Sequence, residues 1–203
     1  MAIAYVQAVQ SKNVVTTPKH FMANNQEFHR MTSDSIMNER TMREIYLASF
    51  ENMVKQAKPW TMMGAYNKLN GTYLCENKLI LTDILRDEWG FDGYIMSDWG
   101  AMNDRVDALK AGCELEMPGM TDRTDKEIIA AVQSGDLDEE LLNQVVERFL
   151  TVVFKYVDNR NQEAAFDREA DHQVARELAE ESSILLKNKD KILPANADRK
   201  SVV

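Results

Sequence analysis

The stretch Trp89-Gly90-Phe91-Asp92-Gly93-Tyr94-Ile95-Met96-Ser97-Asp98-Trp99-Gly100 decides how this chain folds. Gly90 closes an amphipathic run that begins near Asn77, and Gly93 opens an apolar run, Tyr94-Ile95-Met96, that ends on an acid and an indole. Helical spacing that gives way within four residues to a short apolar strand is the signature of a βα unit. A second helix is predicted near Asn103 to Ala111, so the strand is flanked by helices on both sides.

Working outward, the same unit recurs. Upstream, Val14-Val15-Thr16-Thr17 reads as a buried strand over Asn13 to Phe21 that ends in Pro18, Lys19 and His20. Met42, Ile45, Tyr46, Phe50 and Met53 recur at helical spacing from Glu39 to about Ala57, with Asn38 as the N-cap. Trp60 to Tyr66 reads as the next strand. Downstream, Cys113 to Met117 is a fourth strand stopped by Pro118-Gly119, and Thr124 with Glu127 has the pattern of a capping box opening another helix. Asp138 can cap a long helix whose Leu141, Leu142, Val145, Phe149, Val153 and Tyr156 make an apolar face. A polar link from Asp158 to Glu163 follows, then a helix over Asp167 to about Glu181, a strand over Ser183 to Lys187 and a turn at Asn188-Lys189-Asp190.

Alternating strands and helices with short links predict a parallel sheet, either doubly wound or closed as a (β/α)8 barrel. Lys19-His20, Tyr66-Asn67, Asp98-Trp99 and Glu116 all fall at the C-terminal ends of their strands, where barrel enzymes carry their chemistry. A complete barrel takes roughly 250 residues. Four strands are expected before the character changes near Asp158, so the chain reads as part of a longer protein at both ends.

With 203 residues, 44% hydrophobic, there is material for one domain and part of another. A net charge of −9 argues against general affinity for nucleic acid or an anionic membrane surface. Cys75 and Cys113 fit neither a zinc site nor a disulfide framework and read as reduced, packed thiols. No apolar run approaches the roughly 20 residues of a membrane helix, and Met1-Ala2-Ile3-Ala4-Tyr5 lacks the basic region of a secretory signal. The chain therefore reads as soluble, with its compartment left open. His20, His29 and His172 are scattered and no Gly-rich turn precedes a helix, so neither a metal nor a phosphate-bearing cofactor is expected.

Asp98 is the chemistry-bearing candidate. A carboxylate at a strand end beside an aromatic surface can attack an anomeric carbon and stabilise an oxocarbenium-like transition state. It can equally cap the following helix. Lys19 and His20 can donate hydrogen bonds to sugar hydroxyls, and Arg30 can do the same while holding a neighbouring carboxylate ionised. Taken alone, each of these has an ordinary surface reading.

Together they resemble a known family. Lys19-His20-Phe21, Asn24-Asn25-Gln26-Glu27, Arg30-Met31, Glu39-Arg40-Thr41 with Arg43-Glu44-Ile45-Tyr46, Ala65-Tyr66-Asn67 with Asn70-Gly71, Leu81-Thr82-Asp83-Ile84-Leu85-Arg86, Trp89 to Gly93, Met96 to Ala101 and Leu115 to Gly119 are similar to glycoside hydrolase family 3 of the β-glucosidase type. The resemblance implies that Asp98 is the catalytic nucleophile. It also implies that Lys19, His20, Arg30 and Tyr66 line the terminal-sugar subsite and that Trp99 stacks on a sugar ring. His29, where an amide or smaller residue is usual, and Glu114, where Asp is commoner, depart from the pattern.

The resemblance further implies the C-terminal half of a (β/α)8 TIM-type barrel over 1–157, a linker and helix over 158–181, and the start of an α/β sandwich domain over 182–203. The family's general acid/base Glu lies in that following domain, beyond Val203, and earlier barrel strands carry further sugar contacts. Met22-Ala23-Asn24-Asn25 after Phe21 separates the chain from the N-acetylglucosamine-cleaving branch. The expected activity is that of a retaining exo-β-glycosidase on a β-glucoside or oligosaccharide, feeble in this stretch by itself. A half-barrel also exposes strand edges, which favours self-association or complementation by the remaining parts. A non-catalytic carbohydrate-binding scaffold or a β-xylosidase are the alternatives.

Overall fold

Phe21 lies beside Gly64 as a parallel neighbour. Its N–H donates to the Met63 carbonyl (2.8 Å), and its own carbonyl accepts from Ala65 N–H (2.8 Å). This pairing starts a parallel array in a computed structural model that describes residues 1–119, 122–191 and 193–194. The chain divides into two units, Met1–Arg160 and Asn161–Val203.

In the first unit, α1 (Ala2–Gln10) precedes the extended segment 13–21. A short strand β1 (Asp34–Ser35) leads to one long helix, α2, which runs from Glu39–Thr41 through a π-wound stretch, Met42–Leu47, into Ala48–Ala57. Asn38 caps it, its side chain accepting from Thr41 N–H. Strand β2 (Thr61–Gly64) is followed by a hairpin of β3 (Lys68–Leu69) and β4 (Thr72–Tyr73), then α3 (Leu79–Glu88), β5 (Tyr94–Ser97), α4 (Arg105–Ala111), α5 (Asp122–Ser134) and α6 (Glu139–Asp158). β2 and β5 pair in parallel, Thr61 opposite Tyr94 and Gly64 opposite Ser97. Met96 bridges Leu115 on the far side. The order across the array, 13–21, β2, β5, 113–117, is the chain order.

Hydrophobicity explains why the array is buried on both faces. Met62 and Ile95 are fully buried between strands and helices, against Ile80, Leu81, Ile84 and Leu85 of α3. Each such side chain removed from water contributes roughly 1.5–3 kcal/mol. Phe21 packs edge-on against Phe50 (5.0 Å between centroids) and Trp89 (6.1 Å), joining the first segment to α2 and α3. Gly93 sits so close to the Trp60 carbonyl that a Cβ would lie 2.1 Å from its oxygen, which accounts for glycine at the entrance to β5.

The N-terminal ends of the strands are closed by polar and aromatic ties. The Glu114 carboxylate, in the core, accepts from Arg86 (2.6 Å), Arg148 of α6 (3.0 Å) and the Ile95 N–H (2.7 Å). Burial raises its pKa against the opposing pull of Arg86, and burial likewise lowers that of Arg86. Helix α6 continues across this end, with Phe149 on Tyr94 (5.1 Å), Lys155 over the Trp60 ring (4.2 Å) and its Tyr156 carbonyl accepting from Asn13. Cys75 and Cys113 are both buried and free, and the neighbouring Cys75 thiol together with burial pushes the Cys113 thiol well up, so that Cys113 is protonated and inert.

Two expectations change, and one helix is new. Thr124 does not open α5; it lies inside the helix and is buried, because the helix starts at Asp122 and turns Thr124 toward the core. α1 has a weak apolar stripe and no capping side chain, so it carried no helix signal. In the second unit, α7 (Arg168–Ser182) starts at its cap Asp167, but Ser183 to Lys187 forms no strand among the described residues. Its backbone is extended at Ser183, yet Ile184 and Leu186 are 81% and 92% exposed with no ladder to hold them. Extended chain becomes a strand only where a neighbour satisfies its N–H and C=O groups.

Candidate active site

The C-terminal ends of the parallel segments collect the polar side chains. Asp98 follows β5 directly, and its N–H donates to the Gly64 carbonyl at the end of β2 (3.1 Å). Gly64 itself has no room for a side chain, since a Cβ would lie 2.8 Å from Cys75 Sγ. Each carboxylate oxygen of Asp98 has one partner: Oδ2 lies 3.1 Å from His20 Nε2, and Oδ1 accepts from the Trp99 N–H (2.7 Å). The group is fixed in orientation and 14% exposed, so a ligand above the strand ends can reach it.

Tyr66 stands next to it. Its hydroxyl donates to the Trp99 carbonyl (2.9 Å) and feels the Asp98 charge. Burial, then the Asp98 charge, raises the phenol's pKa, so it stays a proton donor across the neutral range. Arg30 lies 4.5 Å over the Tyr66 ring and is held from behind by Glu27 (2.8 Å). The loop that carries Arg30 is stapled to the β3–β4 hairpin: β1 pairs with β3, and Met37 and Asn70 exchange two hydrogen bonds.

The structure thus brings together His20, Arg30, Tyr66 and Asp98, with the Trp99 backbone closing the group. The Trp99 indole, 62% exposed, and Lys19, which is exposed and lines the groove along α1, make no polar side-chain contact to Asp98 among the described residues. Arg30 does not pair with Asp98 either; His20 does. Glu76, Glu88 and Glu116 are engaged elsewhere: Glu76 on the amides of Asn103 and Asp104, Glu88 with Arg43, Glu116 near Arg105 (3.9 Å). Two contributors escaped the sequence reading. Glu27 orients Arg30, and Ser97 exchanges hydrogen bonds with Met117 across the strand ends (2.8 and 3.2 Å). Among the described residues no cluster of His, Cys, Asp or Glu can hold a metal ion, and no helix is long and apolar enough to cross a membrane.

A parallel α/β array with a carboxylate, an imidazole, a phenol and an indole at its C-terminal edge has its polar groups where α/β enzymes carry their chemistry. Residues 1–152 match the model of the glycosyl hydrolase family 3 N terminal domain, and the chain belongs to that family. It is 54% identical over 194 residues to thermostable beta-glucosidase B of Acetivibrio thermocellus, covering 96% of this chain and 26% of that protein. It is 46% identical over 201 residues to an exo-alpha-(1->6)-L-arabinopyranosidase of Bifidobacterium longum, covering 97% and 26%. Among solved structures, a Bifidobacterium adolescentis family 3 beta-glucosidase superposes with a TM-score of 0.86 at 44% identity, over 95% of this chain and 28% of that one. Beta-glucosidase 3B of Thermotoga neapolitana, solved with glucose, gives 0.84 at 44% identity over 92% and 27%. The chain spans about a quarter of the length of the curated relatives it matches.

Proposed function

We propose that the protein containing this chain is a retaining, exo-acting β-glucosidase that releases terminal non-reducing β-D-glucosyl residues through a covalent glycosyl-aspartate on Asp98. The observation that carries this reading is the Asp98 carboxylate, held by His20 and the Trp99 N–H at the C-terminal end of the parallel array, with Tyr66 beside it. Asp98 attacks the anomeric carbon as the bond to the leaving-group oxygen breaks. A second carboxyl group protonates that oxygen, and in its ionised form then activates the water that frees the sugar. Arg30, His20, Lys19 and Tyr66 bind hydroxyls of the terminal sugar, and the Trp99 face stacks on a ring.

On this reading residues 1–157 are half of a (β/α)8 barrel, 158–181 a linker and helix, and 182–203 the beginning of a sandwich domain. The acid/base carboxylate must stand about 5–5.5 Å from Asp98. Glu76, Glu88 and Glu116 are committed to other partners, so the 203-residue stretch by itself turns over glucosides feebly. Its open edges and the apolar groove of about 850 Å³ along α1 and residues 14–19 favour self-association or complementation by the other parts.

The decisive experiment is mass spectrometry of the whole protein after exposure to a 2-fluoro activated glucoside. A glucosyl adduct on Asp98 is expected, and an adduct on any other residue sinks the assignment. The arabinopyranosidase relative makes aryl α-L-arabinopyranoside the control substrate. Faster turnover of it than of aryl β-glucoside would move the specificity within the same chemistry.

A further inference from the structure

Trp99 is the least supported part of the site: its indole is 62% exposed, so the backbone of its loop must aim it. Three ties hold the near end of that loop. Asp98 N–H donates to Gly64 O, Gly100 N–H to Met117 O (2.7 Å), and Tyr66 holds the Trp99 carbonyl. Beyond them Ala101 is buried in the core and Met102 packs against it, and at the far end one side chain takes two backbone amides. Glu76 Oε1 accepts from both the Asn103 N–H (2.9 Å) and the Asp104 N–H (2.8 Å), immediately before α4. Glu76 is in turn fixed to the core, because the neighbouring Cys75 is fully buried beneath Gly64 and its thiol points at the Ala65 carbonyl.

We propose that Glu76 is a positioning residue of the site: through the Asn103 and Asp104 amides it sets the loop from Asp98 to Asp104 and thereby aims Trp99. The inference rests on the glycosidase reading for its kinetic consequence but not for its structural one. Because Asp98 has its own anchors at Gly64 of β2 and at His20, losing Glu76 disturbs the indole more than the nucleophile. Substrate binding is therefore affected before chemistry. The requirement is for an acceptor oxygen rather than a charge, since burial raises the pKa of Glu76 despite its two amide partners, and the charges facing it, Asp104 and Asp107 of α4, are of like sign.

The test uses the whole protein as wild type, Glu76→Ala and Glu76→Gln. A pair of backbone amide hydrogen bonds of this kind is strong enough to move an equilibrium about tenfold. Glu76→Ala is expected to raise KM for an aryl glucoside about tenfold with kcat within about twofold, and Glu76→Gln, which keeps an acceptor, to restore KM. Hydrogen exchange of the Asp98–Asp104 peptide is expected to accelerate in Glu76→Ala alone. Unchanged exchange in Glu76→Ala, or equal loss of kcat in both variants without rescue, overturns the proposal. If wild type proves inactive on every glycoside tried, the glycosidase reading fails while the exchange measurement still decides the role of Glu76.

Discussion

At the residue scale, the site separates groups that touch the reacting atoms from groups that orient them. Replacing the proposed nucleophile, Asp98→Ala, is expected to lower kcat of the whole protein about a thousandfold or more without unfolding it, as steady-state kinetics alongside a melting curve will show. Tyr66→Phe removes the donor to the Trp99 carbonyl and the phenol beside Asp98. Its pH behaviour has a definite sign. The folded pKa of Tyr66 is raised, so its contribution to stability is complete below the unfolded value of about 10 and is lost as pH climbs through the folded value. Alkaline titration of the melting temperature should therefore fall more steeply for wild type than for Tyr66→Phe. Parallel curves would mean that Tyr66 ionises no differently in the folded state.

At the element scale, glycine and one buried acid decide where the strands sit. Gly93→Ala puts a Cβ 2.1 Å from the Trp60 carbonyl, a backbone atom that cannot swing aside. Overpacking of this sort costs about 1–3 kcal/mol, and a lowered melting temperature is expected. Glu114→Gln leaves Arg86 and Arg148 without a counter-charge in the core. Stripping one partner from a buried ion pair costs about 3–5 kcal/mol, so denaturant unfolding should shift strongly. Because this cluster lies at the opposite ends of the strands from Asp98, kcat of the surviving folded fraction should stay close to wild type. A selective loss of kcat would place Glu114 in the catalytic machinery instead.

These elements also show how far the chain could be read in advance. β2, β5, α2 with its Asn38 cap, α4, α6 and α7 were legible from spacing and caps, whereas 13–21 and 113–117, read as strands, are extended segments with single bridges at Phe21 and Leu115, and Val14 is exposed. The β3–β4 hairpin had a readable signal that went unused: Asn70-Gly71, both with positive φ, is the two-residue turn that matches strand twist. By contrast β1 is two residues long and exists only because it lies against β3, and Thr124 was misplaced because a capping pattern inside a helix looks the same as one at its start.

At the scale of the whole molecule, the described chain presents two kinds of surface. The strand-end face of the first unit is polar and carries the candidate site. The groove along α1 and residues 14–19 and the outer stripe of α6, with Val146, Leu150, Phe154 and Val157 exposed, are apolar. Patches of this kind mark contact surfaces. Light scattering of the 203-residue chain alone is expected to give a mass of at least a dimer; a monomer at all concentrations would argue against self-association.

What the amino-acid sequence determined by itself was local or compositional: helix caps, βα alternation, an acid and an indole at a strand end, and a motif set dense enough to name a family. Periodicity is written in neighbouring residues, so one chain suffices to read it. What only the tertiary structure decided was pairwise. That His20 rather than Arg30 holds Asp98, that Glu114 ties α3 to α6, and that Glu76 anchors the loop after Asp98 each depend on residues 28 to 78 positions apart meeting in space. Hydrogen bonds and ion pairs act over a few ångströms, and their partners are chosen by packing, which spacing along the chain does not encode. Asp98 is thus a carboxylate at a strand end by sequence, and an oriented one only by fold.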